Sequence, residues 1–207
     1  MQAVAWSRGW AQLQATLLQF FCPGSCHVCH RPLGQGSGGV ICGPCWQTIQ
    51  PIGAVACAKC GGPFPAAAAV SHSPSHRCQA CRTRRRHFLL ARAACRYERE
   101  GALRAALLLM KHGRREAFAR PLASLMIEEA GRTLPLDDLD AIVAVPLHRK
   151  RLRERGFNQS ELLARELSRR LGLPYLSRAI LRERPTPPQS GRRKERERNV
   201  RGAFRVP

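Results

Sequence analysis

The chain has 207 residues, room for one ordinary domain and a small second one with a real core. Its 35 Lys and Arg against 14 Asp and Glu give a formal charge of +21, and no acidic residue precedes Glu98, so the partners implied are polyanions: nucleic acid, phosphorylated small molecules or anionic lipid. Eight of its ten cysteines fall in Cys-x-x-Cys pairs, which excludes the disulfide framework of a secreted protein and places the chain in a reducing compartment, the cytoplasm.

The first stretch, residues 1–21, carries a single basic residue, Arg8, and Gln12, Gln14 and Gln19 interrupt its apolar run. It makes a poor signal peptide, and no stretch of the chain has the length of a transmembrane segment. Trp6, Trp10, Leu13, Leu17, Leu18 and Phe21 recur near helical spacing and predict an amphipathic helix over 7–21, most simply packed on its own protein.

Next come the pairs Cys26/Cys29, Cys42/Cys45, Cys57/Cys60 and Cys78/Cys81. Each Cys-x-x-Cys turn aims two thiolates at one ion, and two turns complete a tetrahedron around Zn²⁺. Taken in order they give two structural zinc ribbons, 26–45 and 57–81; spacing alone leaves a cross-braced pairing open. Cys57-x2-Cys60-x11-His72-x3-His76 comes close to a two-Cys, two-His finger, but that would strand Cys78 and Cys81 and run its helix through Pro74. Gly43, Gly61 and Gly62 supply freedom at φ around the metal. Cys22 and Cys95 read as ordinary thiols. Closed four-thiolate sites leave no open position for water, which argues against a zinc hydrolase.

Arg82–Arg86 is a basic linker that sets the domain boundaries: an N-terminal helix over 1–21, zinc ribbons over 22–84 and an α/β domain over 85–207. A strand is predicted over 88–97. Leu103, Leu107 and Met110 stripe a helix ending near Gly113, and a second helix covers 116–130. Ala141–Val145 is an unbroken apolar run, expected as a strand buried on both faces of a parallel sheet and stopped by Pro146. Arg149, Lys150, Arg151, Arg153 and Arg155 then lie in a loop that leads through Gly156 to Asn158, the cap of a helix reaching Leu171, with Glu161 completing a capping box. Strand end, cationic loop and helix N-terminus together form a phosphate-binding corner. A further strand is expected over 175–181, and 184–201 reads as a mobile, Pro- and Arg-rich arm.

Val145-Pro146-Leu147 with Arg155-Gly156-Phe157-Asn158-Gln159, the cysteine pairs, Tyr97-x3-Gly101-x-Leu103 with Met110-Lys111, and Arg192–Phe204 together resemble the ComF family of phosphoribosyltransferase-like proteins, associated with DNA uptake and natural competence. The resemblance implies an α/β fold in which an N-terminal double zinc ribbon is followed by a type I phosphoribosyltransferase-like domain. It implies binding of phosphoribosyl pyrophosphate or pyrophosphate through Pro146, Arg155, Gly156, Asn158, Gln159 and Lys111, with Mg²⁺ if the complete protein is an active glycosyltransferase. It also implies contact with single-stranded DNA and with competence-machinery proteins. The arm 184–201 would be the loop that closes over such a site. The family's sugar-phosphate loop, two adjacent carboxylates and a small Thr/Gly-rich turn, has no match: Glu128-Glu129 falls in a helix and Asp137-Asp138 precedes a strand. The chain therefore reads as C-terminally incomplete, and no catalytic residue is assigned. The alternative is a non-catalytic zinc-ribbon module that binds single-stranded nucleic acid through Arg84–Arg86 and Arg192–Arg198, with steep dependence on salt.

Overall fold

A computed structural model describes residues 24–33, 40–65, 73, 75–187 and 191–207; the expected helix over 7–21, Cys22 and His72 lie outside the described residues. The described residues fall into two compact units, within Met1–Gln50 plus Tyr97–Ala106 and within Pro51–Arg96 plus Leu107–Pro207.

The first unit is built on a tight turn. Ser25 bridges Pro32 antiparallel, the Cys26 N–H donates to the Arg31 carbonyl and the His30 N–H to the Cys26 carbonyl, each at 2.9 Å. A short helix, α1 (Gly43–Gln47), starts directly after Cys42, which is its N-cap.

The second unit repeats the pattern. Ala56 bridges Pro63, the Cys57 N–H donates to the Gly62 carbonyl, and the Gly61 N–H donates to the Cys57 carbonyl. Cys78 then caps α2 (Gln79–Thr83). The strand expected over 88–97 does not form. Instead this segment runs irregularly beside the second ribbon: the Ala91 N–H donates to the Lys59 carbonyl, Arg92 Nη2 donates to the Ala58 carbonyl at 3.0 Å, and Cys95 makes one antiparallel bridge to Pro51. A ribbon turn offers too few free backbone groups to support a ladder, so single bonds replace a strand.

Helix α3 (Ala102–His112) forms as expected, though its deepest face is Ala102, Ala106 and Met110, one turn apart each, with small residues where leucines had been expected. A 3-10 turn (Glu116–Phe118) leads into α4 (Ala119–Thr133). Leu122, Ala123 and Ala130 of α4 are buried. A second 3-10 turn, Leu136–Asp138, holds one of the adjacent carboxylate pairs, and Glu129 of the other is buried against Arg132 at 2.8 Å.

Ala141–Val145 is extended, but its pairing is one parallel bridge, Ile142 to Tyr175, rather than a full ladder. Val143 and Val145 are 41% and 62% exposed, so burial on both faces is not realised. With one neighbour among the described residues, such a segment has a single row of hydrogen bonds and an open side. The cationic stretch expected as a loop is a helix, α5 (Arg149–Arg155). Arg, Lys, Leu and Glu are all strong helix formers. Arg151 pairs with Glu154, His148 Nδ1 accepts from the Lys150 N–H, and Gly156 closes the last turn at φ 88°.

Helix α6 (Gln159–Leu171) packs on α4 through Ala164, with Arg170 Nη1 donating to Ser124 Oγ at 2.7 Å. Gly172 takes φ 71° and Ser168 Oγ donates to the Leu173 carbonyl, turning the chain so that Pro174 and Leu176 meet Ile142. Extended segment, helix, parallel partner: this is a minimal βαβ unit. The strand expected over 175–181 shrinks to the bridge at Tyr175 and a short β1 (Leu181–Arg182). The arm 184–201 is not featureless: it contains α7 (Arg193–Val200), before β2 (Phe204–Arg205) pairs antiparallel with β1. The fold is thus a double zinc ribbon followed by a helix-rich α/β region.

Candidate functional site

The eight paired cysteines gather in sequence order. Cys26, Cys29, Cys42 and Cys45 have their sulfurs within 4.8 Å of one another, as do Cys57, Cys60, Cys78 and Cys81, so the cross-braced arrangement is not the one adopted. The Cys29–Cys42 sulfurs are 3.7 Å apart and the Cys60–Cys78 sulfurs 3.8 Å. Four thiolates held about 2.3 Å from a common zinc sit about 3.8 Å from each other, which is the spacing found. The finger alternative fails as well: Cys78 and Cys81 complete the second set, and the His76 ring rests edge-on against Phe64.

Backbone amides prepare one sulfur in each centre. Cys26 Sγ accepts from the Val28 and Cys42 N–H groups at 3.4 Å, and Cys57 Sγ accepts from the Cys78 N–H at 3.3 Å. Burial pushes these thiols up, but the amides outweigh it and bring both to about 6. One other thiol in each centre behaves oppositely. The Cys42 side chain, then burial, then Cys29 and Cys26 push Cys45 up to about 12; burial and the sulfurs of Cys81, Cys57 and Cys78 do the same to Cys60, against the Gly62 amide. Four thiolates repel one another unless a dication sits among them, and that is the fit these residues offer to Zn²⁺. Of the glycines expected to ease these turns, Gly61 does so at φ 63°, and His30 holds the equivalent place at φ 58°.

The expected anion corner borders a cavity of about 520 Å³ between the start of α5–α6 and the Tyr175–Glu183 stretch. Pro146 and Asn158 line it; Arg155, Gly156, Gln159 and Lys111 are not among its lining residues. Asn158 is 8% exposed and fully engaged: Oδ1 accepts from the Ser160 N–H at 3.1 Å, capping α6, while Nδ2 donates to the Val145 carbonyl at 3.0 Å. Glu161 does not close a capping box; it pairs with Arg165 at 2.7 Å. Arg155 donates to Gln159 Oε1 at 2.8 Å, and burial, then Arg151, lower its pKa. Lys111 stands in the last turn of α3.

Arg149, expected at the corner, lines the cavity, which also brings in residues that sequence reasoning missed: His148, Tyr175 and Arg182. Burial and then Glu161 push the Tyr175 phenol up, with Arg165 stacked over its ring at 5.4 Å. Arg182 lies over the Phe204 ring at 5.3 Å and donates to Thr186 Oγ1. No spacing in the sequence announces Arg182; the turn at Gly172 and the β1–β2 pairing carry it there. The two carboxylates of the cavity, Glu161 and Glu183, are each bound to an arginine, Arg165 and Arg205.

A double zinc ribbon ahead of a helix-rich α/β region defines the class of protein. Residues 17–82 match the family model described as "Double zinc ribbon domain". The DNA utilization protein YhgH of Escherichia coli (strain K12) is 36% identical over 193 residues, covering 89% of this chain and 78% of the relative. Its counterpart in Salmonella typhimurium is 34% identical over 188 residues with the same coverage. Competence protein F of Haemophilus influenzae is 39% identical over 84 residues, 40% of this chain and 37% of the relative. No solved structure matches the chain. With the cysteine sets and the central block both in place, the chain belongs to the ComF family. Among the described residues, no helix is long and apolar enough to cross a membrane.

Proposed function

We propose that the chain serves in DNA uptake or utilisation as a phosphoribosyltransferase-type protein, holding phosphoribosyl pyrophosphate or pyrophosphate at the 146–159 corner. The names of its relatives support the DNA role, and proteins of the competence machinery are the partners that role implies. The observation that carries the ligand is the cavity where Pro146 meets the start of α6, with His148, Arg149 and Arg182 facing it. A multiply charged leaving group such as pyrophosphate needs cationic side chains and amide donors around it. Arg155 and the Gly156 turn keep α5 at that corner, and Asn158 holds α6 to the end of the extended segment. Lys111 belongs to the same reading as a further cation.

Mg²⁺ fits this reading only as a companion of the ligand. Among the described residues, the metal-ligating clusters are the two cysteine sets, and Mg²⁺ is commonly carried on phosphate oxygens with few protein ligands. The eight cysteines are assigned to two structural zinc ions. We place the ribbon domain at 22–84 and the α/β domain at 85–207, in a protein of the reducing cytoplasm.

The test is calorimetric titration of the zinc-loaded chain with pyrophosphate in the presence of Mg²⁺. Arg149→Ala should weaken binding about tenfold, the loss of one charge-assisted contact, and Arg155→Ala should weaken it by a smaller factor, by freeing α5 from Gln159. Unchanged affinity in both variants removes this corner as the binding site.

A further inference from the structure

The two zinc centres differ in how far their sulfurs are open to solvent. In the second, Cys57 and Cys81 are buried, and Cys60 and Cys78 are half-buried. The 91–92 segment lies over its first turn, with the Ala91 N–H on the Lys59 carbonyl and Arg92 Nη2 on the Ala58 carbonyl. In the first, Cys26 and Cys45 are buried and Cys42 is half-buried, but Cys29 is exposed, alone among the eight. Its neighbours His27, His30 and Arg31 are exposed as well. Cys26 Sγ, deeper in the same centre, accepts from the Val28 and Cys42 amides, whereas Cys29 Sγ faces Cys42 Sγ at 3.7 Å. An exposed thiolate with a second one beside it is the arrangement in which a cysteine is oxidised and then resolved. Cys95, a thiol outside both centres, competes poorly: burial, then Glu128 and Glu129, push its pKa up and keep it protonated.

We propose that Cys29 is a site of modification by hydrogen peroxide, oxidised to a disulfide with Cys42 as the first centre releases its zinc, while the second centre is spared. The Cys29 thiolate attacks one peroxide oxygen: an S–O bond forms, the O–O bond breaks and hydroxide leaves. The sulfur gives up two electrons and becomes a sulfenic acid, and the peroxide is reduced. Cys42 Sγ then attacks the Cys29 sulfur, forming the S–S bond and expelling a second hydroxide. Two thiolates and one hydrogen peroxide thus give one disulfide and two hydroxides. Cys26 and Cys45 alone remain as ligands, half of the set that a structural zinc takes, so the ion is released and the first ribbon loses its fold. A dithiol reductant cleaves the disulfide and lets the centre reload. The 91–95 segment, bonded to the second ribbon, keeps its support throughout. This inference stands apart from the pyrophosphate corner, since it uses none of its residues.

The experiment is treatment of the zinc-loaded chain with hydrogen peroxide, following zinc with a chromogenic chelator and the sulfurs by nonreducing peptide mapping. One zinc per chain should be released about tenfold faster than the other, because exposure of the thiolate sets the rate. The Cys29–Cys42 disulfide should rise in step with that release, and dithiothreitol with added zinc should restore both. Cys29→His keeps a ligand for the ion and removes the exposed thiolate, so the early release should slow to the rate of the other centre. Cys42→His keeps Cys29 but removes its partner, so Cys29 should accumulate as a sulfenic acid captured by dimedone. Zinc content before treatment reports whether each variant loads; where one does not, the order of release and the disulfide map of the unmodified chain decide. Equal release from both centres, or release from the second one first, would overturn the proposal. So would a disulfide joining Cys29 to Cys22 or to any cysteine other than Cys42, or early release that persists in a loaded Cys29→His variant.

Discussion

His30 and Gly61 occupy the same place in two copies of one turn, and the backbone demands the same left-handed conformation of both, φ 58° and 63°. A side chain at such a φ costs about 1 kcal/mol relative to glycine. His30→Gly should therefore raise the stability of the zinc-loaded protein by about 1 kcal/mol, read as an increase in melting temperature. Gly61→Ala should do the reverse and more. A Cβ there would meet the Ala91 carbonyl oxygen at 2.7 Å, a backbone atom held by the segment that flanks the ribbon, so the strain of φ and the clash add. The expected loss is about 2–3 kcal/mol, with weakened zinc retention against a competing chelator. Asn158 belongs to the same scale. Asn158→Ala removes the α6 cap and leaves the Val145 carbonyl short of its donor, for a loss of about 2 kcal/mol in urea denaturation. Asn158→Ser keeps the cap alone and should recover about half.

Elements whose structure is set within a few residues were the legible ones. Helix α6 announced itself by its apolar period, its Asn cap and its Gly stop, and the cysteine spacing gave the eight metal ligands, while their division into two sets came from the structure. Helices α5 and α7 were missed because almost every residue is charged and no apolar stripe marks a buried face. They are held instead by pairs one turn apart, Arg151–Glu154 and Arg193–Glu197, and by groups at their ends. The run Ala141–Val145 was rightly read as extended, but how many neighbours it pairs with depends on residues far along the chain, which no local pattern contains. Arg182 reached the cavity by the same long-range route. The end groups can be tested on α7. Arg184→Ala frees the Asn199 and Arg201 carbonyls, so amide hydrogen exchange over 196–201 should quicken several-fold while α6 stays protected.

At the scale of the whole molecule, zinc is the part of the fold that small domains cannot replace by burial. Each ribbon buries little beyond its own cysteines, and binding of the ion is its folding free energy. The two centres differ in what they support. The second ribbon bonds to the 91–95 segment through the Ala91 N–H and through Arg92, so its zinc also fixes the lead-in to the α/β region. Native mass spectrometry should find two zinc ions per chain. Cys26→Ser with Cys42→Ser should leave one, whereas a cross-braced protein would lose both, because that pair of changes would strike each site once. Cys57→Ser with Cys78→Ser should likewise leave one zinc, but with a second consequence. The Ala91 amide loses its acceptor at Lys59 and should exchange at the rate of an open loop, while in the Cys26/Cys42 variant it stays protected. Equal protection at Ala91 in the two variants would mean that the 91–95 segment holds its place without the ribbon beside it.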